Sequence, residues 1–243
     1  LILEEIWHLP WESIIQHQLF DPLGMITAGF GSPIEDVPLN SFATQPLGHF
    51  IDTDNVIHSM DRDLPKSWAP AGTVHASLND WAKFIACHLQ EGRDLTSFGF
   101  APMNSSFLNS AISPYLLSAS MWESIHAAYV FPSASTPNAQ YSLSAMGIDK
   151  DNLGPSLTHT GTNTIWFAYV VVYPQLVQPM ALLITTNVRN GNAVLEAKAA
   201  IINTYLAWRQ QGQPFSIDSS GASSPAPLCF GFALILVSIY FIQ

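Results

Sequence analysis

The stretch HTGTNTIWFAYVVVYP, residues 159–174, joins a polar tripeptide to a long run of strand-forming residues. Histidine changes its charge near neutral pH, threonine carries a hydroxyl group, and glycine leaves space beside the backbone. These residue types suit proton transfer and hydrogen bonding to a bound molecule. A histidine at a strand end is equally well satisfied by a backbone carbonyl. The tripeptide alone therefore leaves a functional and a structural interpretation open.

Runs of β-branched and aromatic residues predict several strands around the tripeptide. The predicted strands are residues 141–148, 157–160, 164–173 and 179–188. Because the connections between them are short, we expect antiparallel neighbours in one sheet.

Helices are predicted where apolar residues recur at helical spacing. They cover residues 1–19 with a break at Pro10, and residues 77–90, 120–128 and 192–209. Ser77 is expected to cap its helix, with the Asp80 side chain returning to the Ser77 amide. Together these elements predict an α+β fold, an antiparallel β-sheet flanked by helices.

Composition excludes several classes of partner. The 243 residues hold 8 Lys and Arg against 18 Asp and Glu, a net charge of −10, so there is no basic surface for nucleic acid. Cys87 and Cys229 are isolated, which fits neither a disulfide framework nor a zinc site. The eight histidines lack metal-ligand spacing. We therefore expect no metal, no cofactor and no nucleic-acid partner.

Three stretches occur in a distinctive order: PWESIIQHQLFDPLGMITAGFG at residues 10–31, PAGTVHASLNDWAKFIACHL at 70–89, and His159-Thr160-Gly161. The first resembles the helix and F-x-P-L-G-M turn of the serine β-lactamase-like superfamily, which includes class C β-lactamases, D-alanyl-D-alanine carboxypeptidases and related esterases. The second is similar to that family's P-A-G-G-x-x-S-S-x-x-D-x-A-K-F segment. The tripeptide stands where the family has Lys-Thr-Gly.

The resemblance implies acyl transfer to a serine, with the tripeptide lining the site. In that role Gly161 leaves room for substrate, and the residue after it, Thr162, donates its amide N–H to the oxyanion. His159 would hydrogen-bond substrate and tune proton transfer, and Thr160 would offer its hydroxyl. Histidine in place of lysine weakens any fixed positive charge, which favours esterase or peptidase activity on a small-molecule or peptide amide or ester.

The family's nucleophile and base form an S-x-x-K motif, because residues i and i+3 share one helix face. None of the four lysines of this chain has a serine three residues before it. The family's tyrosine motif would also lie upstream of residue 1. We therefore expect an N-terminally incomplete member of the fold, the C-terminal portion of a serine hydrolase. The alternative is a catalytically inactive relic, tethered to a membrane or used for binding.

A tail of different composition follows the predicted domain. Residues 1–212 are assigned to the domain, 213–227 to a linker of small residues and proline, and 228–243 to an apolar tail. The tail is consistent with a GPI signal, a membrane helix or a merely apolar end. Membrane attachment through residues 228–242 is thus an expectation, and a membrane-associated or extracellular location is favoured over a soluble cytoplasmic one.

Overall fold

The N-terminal region is helical and breaks at Pro10, as predicted. A computed structural model describes residues 2–33, 46–60, 63–90, 117–130, 140–176, 179–210 and 233–239. Its first elements are helices α1 (Ile2–Trp7) and α2 (Trp11–Ile15), a π-helix (Gln16–Phe20) and α3 (Asp21–Leu23). Gly24 ends α3 in the left-handed conformation at φ 61°, which glycine adopts without strain.

Short strands lie between residues 29 and 75, where the sequence predicts neither helix nor strand. β1 (Gly29–Phe30) pairs with β4 (Val74–His75), and β2 (Gly48–Ile51) pairs with β3 (Ile57–Met60), both antiparallel. A 3₁₀ turn (Lys66–Trp68) and α4 (Ala69–Gly72) precede β4. Strands of two to four residues are too short to produce a periodic pattern, so the sequence did not reveal them.

Three longer helices confirm the predicted ones to within one or two residues. They are α5 (Leu78–Gln90), α6 (Ala119–His126) and α7 (Gly191–Gln210). The Ser77 hydroxyl accepts the Asp80 amide at 3.2 Å, which confirms the cap. The predicted contact from the Asp80 side chain to the Ser77 amide was wrong. The Asp80 carboxylate instead accepts the Thr27 amide at 2.6 Å, and the Ser77 amide donates to the Thr27 hydroxyl at 3.1 Å.

Within the described part of the chain, seven strands form the main sheet, in the spatial order β11-β10-β9-β8-β7-β6-β5. All neighbours from β5 to β10 are antiparallel, as predicted. The strands are β5 (Ala128–Val130), β6 (Gln140–Ser142), β7 (Gly147–Asp151), β8 (Gly154–Thr162), β9 (Phe167–Tyr173), β10 (Met180–Thr186) and β11 (Ala233–Ile239). The fold is α+β, with a mainly antiparallel sheet.

The strand predicted at residues 141–148 is in fact two strands. A tight turn separates β6 from β7, with Ala145 at a positive φ of 61°. The Ser142 amide donates to the Met146 carbonyl at 2.8 Å and closes this turn. Since LSAM contains no glycine or proline, its sequence carries no conventional turn signal.

Part of the apolar tail forms β11, which pairs in parallel with β10 from Met180↔Ala233 to Thr186↔Ile239. Helix α7 lies between the two strands in sequence and supplies the crossover that parallel neighbours require. No helix among the described residues is long and apolar enough to cross a membrane. Membrane attachment of the tail stays a prediction, and the linker lies outside the described residues.

Both faces of the sheet are covered. On β9, Tyr169, Val171 and Tyr173 pack against α7, while Val170 and Val172 pack against α5. Successive side chains of a strand point to opposite faces, so this alternation assigns a face to every residue of the neighbouring strands. The central strands are buried on both sides, which explains why β9 and β10 read as nearly continuous apolar runs.

Candidate active site

The tripeptide lies at the C-terminal end of β8. Leu157 pairs with Val172 and packs on the face of the sheet that α5 covers. By alternation, His159 and Gly161 belong to the same face, whereas Thr160 and Thr162 belong to the face of α7. All four residues are exposed. The strand thus carries the polar residues out of the covered core.

An open sheet edge runs beside these residues. β7 pairs with β8 only as far as Gly147↔Thr158, whereas β9 pairs with β8 through Thr162↔Phe167. Among the residues that the structure describes, no strand continues the pairing on the β7 side of residues 159–162. Alternate residues direct their N–H and C=O groups to opposite edges. Two of these four residues therefore present backbone hydrogen-bonding groups to the open edge.

Gly161 has open space beside its Cα atom. A Cβ built at this position would lie within 4 Å of no other described atom outside its chain neighbours. Its φ is not in the left-handed region, so neither packing nor backbone conformation in the described chain requires glycine here. The space is available to a bound molecule or to another part of the protein.

The turn after the tripeptide is held by hydrogen bonds among its own residues. The Thr162 hydroxyl donates to the Trp166 carbonyl at 2.6 Å and accepts the Thr164 amide at 3.0 Å. The Asn163 side-chain oxygen accepts the Trp166 amide at 3.1 Å. Thr164 has a φ of 86°, which is unfavourable for a β-branched residue.

A distant segment fixes this turn from outside. Gly48 on β2 approaches so closely that a Cβ there would lie 2.6 Å from the Ile165 and Trp166 side chains. The His49 amide donates to the Ile165 carbonyl at 3.1 Å, and the Asn163 side chain donates to Asp63 at 3.1 Å. Sequence reasoning missed these contacts because about a hundred residues separate the partners. Only the position of Asn163, two residues after the tripeptide, could have drawn attention to it.

The other two family-like stretches contact each other and do not contribute to this edge. Lys83 on α5 donates to the Gly24 carbonyl and to the Asp80 carboxylate, the latter at 2.6 Å. Burial by itself raises the pKa of Asp80, but hydrogen bonds from Lys83 and Thr27 outweigh it and hold the pKa below its usual range. These contacts lock α5 to the turn after α3, which is a structural role.

His75 also has a structural role. Its Nδ1 lies 2.9 Å from the Gly31 carbonyl oxygen, a contact that links the short strands β1 and β4. Lys198 pairs with Asp151 at 3.1 Å and packs beside Tyr169 on the α7 face of the sheet, opposite His159. Lys198 is therefore not placed to assist chemistry at His159.

Comparison with known proteins agrees with the fold. The sequence model of the Beta-lactamase family matches residues 1–206. The octameric penicillin-binding protein homologue from Pyrococcus abyssi is similar in structure, with a TM-score of 0.51, 16% identity, and coverage of 72% of this chain and 33% of that one. A penicillin-binding protein from Bacillus halodurans gives a TM-score of 0.50, 13% identity, and coverage of 71% and 44%.

A D-stereospecific amidohydrolase from Streptomyces is a weaker structural match, with a TM-score of 0.48, 18% identity, and coverage of 71% of this chain and 43% of that one. No curated protein is similar enough to the chain to be matched with it. The chain spans about a third to under a half of the length of these solved structures.

A family match over residues 1–206 covers most of the chain. The protein therefore belongs to the beta-lactamase family, within the serine hydrolase superfamily, as the three stretches predicted.

Proposed function

We propose that this chain supplies one wall of the acyl-transfer site of a serine hydrolase of esterase or peptidase type. The observation that supports this most strongly is the exposed end of β8, where His159 and the open space at Gly161 adjoin an unpaired sheet edge. A carbonyl compound lying along this edge would meet backbone donors and a histidine side chain together.

Each residue of this wall has a role set by its chemistry. The Thr162 amide N–H stabilises the negative charge on the tetrahedral intermediate, and loss of one such donor typically costs ~10² to 10³ in kcat. His159 hydrogen-bonds the substrate and exchanges protons with it. Gly161 lets the substrate approach the backbone. Thr160, exposed at the same strand end, offers its hydroxyl to a substrate carbonyl or carboxylate.

The nucleophile comes from a segment outside these 243 residues, since the sequence contains no S-x-x-K. The serine oxygen attacks the carbonyl carbon of an amide or ester while its proton passes to the lysine. The carbon–nitrogen or carbon–oxygen bond then breaks, the protonated amine or alcohol leaves, and water releases the acyl group. The substrate class is a small molecule or peptide with such a bond.

Acylation of the full-length gene product tests this function. A fluorophosphonate probe and a fluorescent penicillin should each label one serine in that protein, and the 243-residue chain alone should not react. Heat-denatured protein controls for non-specific labelling. A folded full-length protein that neither probe labels would refute the enzyme and support the alternative, a non-catalytic binding or membrane-tethered relic.

Attachment to a membrane is a separate proposal, based on the apolar composition of residues 228–243. The full-length protein should sediment with membranes after a carbonate wash, and a version that ends at residue 227 should stay in the supernatant. Equal partitioning of the two versions would exclude a membrane role for the tail.

A further inference from the structure

Asp63 reaches the candidate site from a segment remote in sequence. One of its carboxylate oxygens accepts the Asn163 side-chain N–H at 3.1 Å and the Leu64 amide at 2.7 Å. Its other oxygen is buried and has no hydrogen-bond partner among the described residues. The Asp63 carboxylate thus meets Asn163 at a buried position.

Asn163 connects Asp63 to the turn that follows the tripeptide. Its side-chain N–H donates to Asp63, and its side-chain oxygen accepts the Trp166 amide at 3.1 Å. Trp166 in turn accepts the Thr162 hydroxyl at 2.6 Å through its carbonyl. A continuous chain of three hydrogen bonds therefore links Asp63 to Thr162.

Backbone strain accompanies this chain of hydrogen bonds. Thr164, inside the turn, has a φ of 86°, and a β-branched residue adopts such an angle only when its surroundings enforce it. Its amide is held by the Thr162 hydroxyl at 3.0 Å. The Thr162 hydroxyl is therefore hydrogen-bonded to Thr164 in the middle of the turn and to Trp166 at its far end. These two hydrogen bonds restrict rotation of the Thr162 backbone.

We propose that Asp63 and Asn163 are positioning residues that orient the Thr162 backbone amide toward the oxyanion. This inference rests on the proposed function and assigns the supporting residues of that site. An oxyanion donor must lie within about 2.7–3.1 Å of the charge that it stabilises. A misplacement of ~1 Å can cost ~10²-fold in rate. Contacts that hold the turn from a distant segment would prevent such a misplacement of the Thr162 amide.

Charge is not what the proposal requires of Asp63. The Asn163 N–H needs an acceptor, and an amide oxygen serves as well as a carboxylate oxygen. Asp63→Asn keeps that acceptor and adds an N–H group at the unpaired oxygen, whereas Asp63→Ala removes it. The pair of substitutions at one position thus separates the hydrogen bond from the negative charge.

The experiment measures ester hydrolysis by the full-length gene product and its variants. Asp63→Ala and Asn163→Ala should each lower kcat by roughly tenfold to a hundredfold, with KM nearly unchanged, because only transition-state alignment is lost. Asp63→Asn should retain most of the wild-type kcat. The double variant Asp63→Ala with Asn163→Ala should be no slower than the slower single variant, since both act through one chain of contacts.

Asp149→Ala is the matched control, because Asp149 is an exposed aspartate on β7 away from the turn. It should leave kcat and the melting temperature unchanged. A lower melting temperature with unchanged kcat in folded Asp63→Ala and Asn163→Ala would show a merely structural role and overturn the inference. Additive losses in the double variant would also overturn it. Where Asn163→Ala does not fold, the comparison of Asp63→Asn with Asp63→Ala decides.

Failure of the proposed function gives a different result. In that case the wild-type protein itself neither reacts with the acylating probes nor hydrolyses the ester. An active wild type with unaffected Asp63 and Asn163 variants refutes only the positioning role.

Discussion

The two halves of β8 differ although they belong to one strand. Leu157 is 5% exposed and pairs with both β7 and β9, whereas residues 159–162 are exposed and, among the described residues, pair with β9 alone. At Leu157 the backbone has strand partners on both sides and the side chain is packed. At residues 159–162 one edge of the backbone and the side chains remain accessible. A single strand thus supports the core at one end and presents polar groups at the other.

Replacing a buried residue of this strand should have the largest effect on stability. Leu157→Ala removes a side chain that packs against Val172 and the α5 face, and should lower the free energy of unfolding by about 2–5 kcal/mol. Urea denaturation of the full-length protein measures this. A loss below about 1 kcal/mol would mean that the face can collapse around the cavity, and would weaken the contrast between the halves.

Acid should destabilise the buried region through His88. Its Nδ1 lies 3.0 Å from His126 Nε2, and burial, followed by the charge of His126, lowers the pKa of His88 to about 3. Because the unfolded state then binds more protons, stability is complete above pH ~6.5 and falls as the pH drops toward 3.

Urea midpoints between pH 7 and pH 4 check this expectation. His88→Phe should reduce the pH dependence, although His126 keeps part of it because burial lowers its pKa too. If the urea midpoint of His88→Phe depended on pH as strongly as that of the wild type, His88 would not be the source of the pH dependence.

A methyl group in the space beside Gly161 should raise stability and lower reaction with substrate. Gly161→Ala should raise the free energy of unfolding by roughly 0.5–1 kcal/mol, because alanine loses less conformational freedom and meets no described atom within 4 Å. Labelling by the penicillin probe should nevertheless fall, since the methyl group occupies the approach to the edge. A stable variant that labels normally would show that substrate does not use this space.

The smallest change in stability is expected at His159. His159→Gln removes an exposed side chain and should alter the free energy of unfolding by less than about 0.5 kcal/mol. Ester hydrolysis by the full-length protein should decrease, because glutamine cannot exchange a proton near neutral pH. Unchanged activity would leave His159 as a surface residue only.

Long periodic segments were predictable, and short irregular ones were not. The apolar stripe of α5 and the continuous runs of β9 and β10 gave helix and strands close to their observed bounds. The β2–β3 hairpin and the turn at Ala145 were not predicted, because the strands around them are only three to five residues long and show no periodic pattern. Of the candidate site, the sequence supplied the tripeptide stretch, whereas Asp63 and the approach of Gly48 had no sequence signal.

By itself the sequence determined the family, the mainly antiparallel sheet and the position of the tripeptide on a strand, because these depend on local patterns and on the order of motifs. Tertiary structure alone decided that the pairing of β7 with β8 stops at Gly147↔Thr158 and leaves an open edge, and that Asp63 reaches Asn163 across a hundred residues. Strand ends and long-range hydrogen bonds depend on how separate segments pack. No local pattern of residues encodes that arrangement.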